Sequence, residues 1–262
     1  MSSSLNGSWR RSVIALTLVI VAAVLAAGWG PRPNAGAAAP RTTRPVAVNG
    51  RVYDAYVEAA TKTGQFAQYT CEFDAAWVVL KTFGIDVGLE EQVEIIGVDQ
   101  RIEPYAVETP GGFVIYGGDV TEQFSGDYDH NFLARTSGKA MRKVFQDYGL
   151  RVTAVHDRVS LERALGAGKL VWMKATVDFL PWQAATWVTP EGDEVETVLG
   201  NDHAVVAIGY NDDGVLIRDV LGPTSTNWSR PTEYEVAWDT FLAVWEAQSF
   251  DGLAVAPPAA RS

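Results

Sequence analysis

Chemistry in this 262-residue chain centres on its one cysteine, Cys71, which has no second thiol with which to close an internal disulfide. A polar approach containing Gly64 and Gln65 precedes it. Phe73, Ala76, Trp77, Leu80 and Phe83 follow at helical spacing, and Gly84 then supplies a stop. Glu72 and Asp74 fall in the first turn, where acids suit the helix dipole. A cysteine at a helix N-terminus can become a nucleophilic thiolate, because the unpaired N–H groups and the dipole favour the anion. The competing reading is a small buried hydrophobe.

A second group of reactive types lies far along the chain, in Asn201-Asp202-His203 followed by an apolar run to Tyr210. Asn211-Asp212-Asp213-Gly214 is a turn signal, and Val215 to Asp219 reads as the return strand of a hairpin. His203 and Asp219 therefore lie at the end away from the turn. A tight two-residue turn pairs Tyr210 with Val215 and does not set His203 opposite Asp219, so their contact requires a bulge or a twist. Separately, each could be an ordinary buried polar residue.

Acyl transfer through sulfur needs a thiolate, a base to take its proton, a group to orient that base, and donors for the oxyanion. Cys71, His203, Asp219 and Gln65, in that arrangement and on those elements, resemble the papain-fold cysteine peptidases. The likeness is nearest to the family similar to the bacteriocin-leader (double-glycine) peptidases, and it covers roughly Val46 to Val255. The resemblance implies an α+β, papain-like fold in which N-terminal helices carrying the cysteine pack on an antiparallel sheet carrying the histidine and aspartate. It also implies Cys71 as nucleophile, His203 as general base and acid, Asp219 as its orienter and Gln65 as an oxyanion donor. Two positions depart from the family pattern: Glu72 stands where a glycine is usual after the cysteine, and Val220 where a proline usually follows the aspartate.

The elements that must position these residues are legible in outline. Residues 46–61 suggest a strand and a short helix leading into the cysteine segment. Further helices are expected over 88–98, over 137–148 with Ser137 as cap, after Ser160 as cap, and over 239–246. Strands are expected over 152–155, 170–177 and 253–256. The 170–177 strand is apolar on both faces apart from Lys174 and Thr176. The stretch 105–132 reads as a long loop facing substrate, and 179–200 as a second loop-rich region. Asp127 and Asp129 lack the ligand spacing of a calcium loop, and no CxxC or HExxH pattern accompanies Cys71, so neither metal nor cofactor is expected. His130 and His156 read as surface residues.

The first 30 residues read as an export segment. Arg10 and Arg11 precede an apolar run from Val13 to Ala27, with small-residue cleavage candidates at 35–39. The run is nearly long enough to span a bilayer, so a cleaved signal and a membrane anchor both remain open; either puts the rest of the chain outside the cytoplasm. Residues 31–45 read as a tether, 46–256 as the peptidase domain and 257–262 as a tail. A formal charge of −11 argues against nucleic-acid binding. The expectation is an exported thiol hydrolase acting on a peptide or protein substrate, with acyl transfer to an amine as a variant of the same chemistry. The alternative is a catalytically silent module that binds peptides or cell-envelope components through Trp182, Trp187, Trp228 and the 105–132 loop.

Overall fold

The computed structural model describes residues 42–43, 45–48, 50–222 and 229–258; the export segment and Trp228 lie outside them. In chain order the strands are β1 (Thr42–Thr43), β2 (Val46–Val48), β3 (Arg51–Tyr53), β4 (Ala55–Val57), β5 (Val98–Asp99), β6 (Tyr105–Thr109), β7 (Gly112–Tyr116) and β8 (Phe124–Ser125). They continue with β9 (Arg151–Val155), β10 (Leu170–Thr176), β11 (Ala184–Val188), β12 (Glu194–Val198), β13 (Asp202–Tyr210), β14 (Gly214–Arg218), β15 (Glu233–Ala237) and β16 (Gly252–Ala256). The α-helices among the described residues are α1 (Cys71–Thr82), α2 (Leu89–Ile96), α3 (Gly138–Asp147), α4 (Arg158–Gly166) and α5 (Trp238–Glu246).

Helix α1 forms where the apolar spacing places it. Phe73, Ala76, Leu80 and the adjoining Phe83 are fully buried, each large side chain contributing about 1.5–3 kcal/mol by leaving water. Gly84 ends the helix in the left-handed region, at φ 79°. The helix packs on an antiparallel sheet ordered β1-β4-β13-β10-β16-β9, with β14 and β15 continuing from β13. Strands β10 and β13, buried along nearly their whole length, form its centre. Their side chains divide between two cores. Leu170, Trp172, Ala204 and Val206 face α1, whereas Met173, Ala175, Val205 and Ala207 face α4 and α5.

Several sequence expectations are corrected. Residues 46–61 hold strands β2 to β4 and no helix; Gly50 turns the chain at φ 79°, and the Val and Tyr residues around it favour pleated packing. The two supposed loops hold the strands of a second sheet: β12-β11-β7-β6, four-stranded, in which β11 and β7 run parallel. These strands are short, and the two hairpins they form lie far apart in sequence, so no local periodicity announces the sheet. Trp187, assigned to a binding surface, is fully buried in this second layer and donates its indole N–H to the Gly118 carbonyl at 3.0 Å. Trp182 is half-buried.

Two caps also differ. Helix α4 starts at Arg158, and Asp157 accepts the Ser160 N–H at 2.6 Å in a capping box, so Ser160 is the third helical residue and not the cap. Ser137 occupies the cap position of α3 without making a side-chain cap bond. Asp251 instead accepts the Gly138 N–H at 2.7 Å from across the molecule.

Candidate active site

The hairpin β13–β14 brings His203 and Asp219 together through one irregularity. Tyr210 pairs with Val215 and Gly209 with Leu216, but the register then shifts so that Ala207 faces Ile217 and Val206 faces Arg218. The extra residue is Ile208. Continued by one residue, the shifted register sets Asp219 beside Val205, on the face that alternation gives to His203. Without the bulge Asp219 would adjoin Val206 on the other face. Gly209 is required there, because a Cβ would lie 2.7 Å from the Ala55 carbonyl oxygen of β4.

His203 is 1% exposed, and its Nε2 lies 3.0 Å from Asp219 Oδ1. Among the described residues Nδ1 has no hydrogen-bond partner, and it is the nitrogen left for a second one. The Asp219 carboxylate is heavily supported: it also accepts from the Leu221 N–H at 2.9 Å, the Tyr234 hydroxyl at 2.8 Å and the Arg230 guanidinium. Arg230 in turn pairs with Asp178 at 2.5 Å. Burial alone would raise the Asp219 carboxyl, but His203, Arg230 and the Leu221 N–H hold it well below the usual carboxylate range. A depressed folded value stabilises the fold above the unfolded carboxyl value near 3.8, and that contribution is lost as the pH falls toward the folded value. Asp219→Asn is therefore expected to flatten the loss of stability on acidification below about pH 4, as read from urea midpoints across pH. Superimposable profiles would remove Asp219 from the acid response.

Cys71 is the first residue of α1 and is 7% exposed. Its thiol donates to Glu72 Oε2 at 3.2 Å, and no hydrogen bond joins it to His203. Glu72 is fully buried. Its Oε1 lies 2.6 Å from Lys174 Nζ and accepts the Thr136 N–H at 3.3 Å. Lys174 is also 2.8 Å from Asp202 Oδ2, and Asp202 further accepts from Gln248 at 2.7 Å. Burial would lower the Lys174 ammonium, yet Asp202 and Glu72 hold it above its ordinary value. The sequence leads one to expect a thiolate-favouring site at the helix N-terminus. The structure differs: burial pushes the Cys71 thiol well up and the Glu72 carboxylate adds to this, with Lys174 working the other way.

The second acid of that turn does something else. Asp74 accepts from the Phe66 N–H at 3.0 Å and the Thr70 hydroxyl at 2.7 Å, and pairs with Lys62 at 2.8 Å. It thus holds the approach loop to the helix. Gly64, two residues before Phe66, donates its N–H to the Val220 carbonyl at 2.9 Å. Gln65 between them is half-buried, so its loop is tied on one side to the cysteine helix and on the other to the turn after Asp219.

Sequence reasoning missed the Glu72–Lys174–Asp202 network and the Arg230–Tyr234 support of Asp219. A lone lysine inside the apolar strand 170–176 is a legible signal for the first. Nothing local distinguishes Arg230 or Tyr234, which reach Asp219 only through the pairing of β15 with β14.

The molecule is thus an α+β protein with a cysteine heading a helix that packs on an antiparallel sheet, and a His–Asp pair at one end of that sheet. The chain belongs to the Peptidase_C39 like family, whose model matches residues 57–253. A crystal structure of a candidate C39-like peptidase from Bacillus anthracis is similar in fold, with a TM-score of 0.54 and 19% identity over 76% of this chain and 97% of the other. No curated protein matches.

Proposed function

We propose that the protein is an exported cysteine peptidase that cleaves a peptide or amide bond through a Cys71 acyl-enzyme. His203 takes the thiol proton through Nδ1 and returns it to the leaving amine, Asp219 holds the ring through Nε2, and Gln65 donates to the oxyanion. The observation that carries this reading is the clamped loop: Gly64 bonded to Val220 and Phe66 bonded to Asp74 hold Gln65 between the nucleophile's helix and the His–Asp hairpin. Attack first requires the thiol to leave Glu72 and the His203 ring to turn to it from the face of β13 that carries Val205. Export rests on Arg10, Arg11 and the apolar run that follows. With Cys71 acylated, water gives hydrolysis and an amine gives transfer.

One observation favours a second reading, a catalytically silent module that binds peptides or cell-envelope components. The thiol is bonded to a carboxylate and pushed toward its protonated form. The rate of alkylation of Cys71 against pH, in the native chain and in His203→Ala, separates the two. A thiolate formed below the ordinary thiol value and lost in the variant is expected for the peptidase. A profile that rises only in alkali and ignores His203 supports the silent module.

A further inference from the structure

Away from Cys71, His203, Asp219 and Gln65, a cavity of about 340 Å³ opens between the second sheet, the start of α3 and the start of β16. Much of its wall is apolar: Val120, Trp187, Val195, Phe250 and Leu253. Two donors on the same wall have no acceptor among the described residues. Arg135 is 3% exposed and uses Nε on the Leu133 carbonyl at 3.1 Å and Nη1 on Thr197 and the Val198 carbonyl at 2.9 and 2.8 Å, while its Nη2 has no partner. Ser137 Oγ is buried and equally without one, because Asp251 has taken over the capping of α3. Buried donors are seldom left unpaired, least of all on a guanidinium. A single water would satisfy them but not fill a space of this size against apolar walls.

We propose that this cavity binds a small monocarboxylate with a branched apolar body. The carboxylate accepts from Arg135 Nη2 and Ser137 Oγ, and the body lies against Val195 and Phe250. A guanidinium donor favours a charged acceptor over a neutral one; of the other cations lining the cavity, Lys139 is paired with Glu122 at 2.6 Å and Lys174 with Glu72 and Asp202, which leaves Arg142 to add positive potential. Two acids also line it. Asp251 is engaged by the Gly138 N–H, and Glu196 is exposed. The site is independent of the peptidase reading, since none of its contacts uses the four residues of that mechanism.

Calorimetric titration of the full chain with 4-methylpentanoate and with the uncharged 4-methylpentanamide tests the proposal. The acid is expected to bind saturably and the amide at least about tenfold more weakly. Ser137→Ala is expected to weaken the acid several-fold, and Val195→Trp to abolish binding by filling the space, both with unchanged circular dichroism. Cys71→Ala is expected to bind as the native chain does. Equal binding of acid and amide, no heat from the acid up to about 10 mM, or an affinity indifferent to Val195→Trp would each overturn it. Arg135 also braces Thr197 and Val198, so its replacement is not needed for the test.

Discussion

Glu72→Gln is expected to lower the thiol pKa of Cys71 and to speed its alkylation at neutral pH by about tenfold or more. The carboxylate that now accepts the S–H bond at 3.2 Å repels the thiolate that would replace it. The glutamine amide has the same length and can donate to that thiolate. Lys174 would remain beside Asp202 and close to the sulfur, so its favourable field is kept while the opposing charge is removed. Iodoacetamide rates from pH 6 to 10 give a clean reading, because Cys71 is the chain's only thiol. A profile that superimposes on the native one would show that burial alone sets the thiol and that Glu72 has no hold on it. The proposed peptidase gains a specific control if the shift appears: Glu72 would keep the nucleophile protonated until it turns to His203.

Lys174→Met is expected to cost about 3–5 kcal/mol of stability. The lysine is 4% exposed and stands between two carboxylates, 2.6 Å from Glu72 and 2.8 Å from Asp202. Without it, two buried acids would face each other, with Gln248 and the more distant Arg135, at 3.7 Å from Asp202, as partial compensation. One of them would have to take up a proton, so the variant should lose further stability as the pH rises. Adding Glu72→Gln to Lys174→Met removes one of the stranded charges and is expected to recover a large part of the loss. Urea denaturation of the two variants beside the native chain measures both quantities. A loss under about 1 kcal/mol for Lys174→Met would mean that water reaches these groups and that the network is not a buried one.

The two predictions bear on one question, how the cysteine is held. A neutral residue after Cys71 would leave Lys174 to stabilise the thiolate against burial and Asp202 alone. Glutamate there creates a buried, nearly charge-balanced cluster that supports the packing of α1 on β10, through the ion pair and through the Trp172 indole bonded to the Glu72 carbonyl at 3.0 Å. The same side chain therefore ties helix to sheet and restrains the thiol.

What the sequence by itself determined was local. The spacing of Phe73, Ala76, Leu80 and Phe83 defines a helix headed by Cys71, and the apolar runs around Asn211 to Gly214 define a hairpin with His203 and Asp219 at its far end. These patterns are readable because each depends on neighbours within one turn of helix or one strand. Only the tertiary structure decided what depends on distant partners. The bulge at Ile208 selects the face on which Asp219 meets His203, and it arises where β13 exchanges β10 for β4 on one edge while β14 stays on the other. Asp251 displaces Ser137 as the cap of α3, and two stretches without periodicity pair across the chain into a second sheet. The charge state favoured at Cys71 belongs to this class as well. The helix N-terminus favours an anion, but burial and the Glu72 carboxylate, both set by packing against β10, outweigh it.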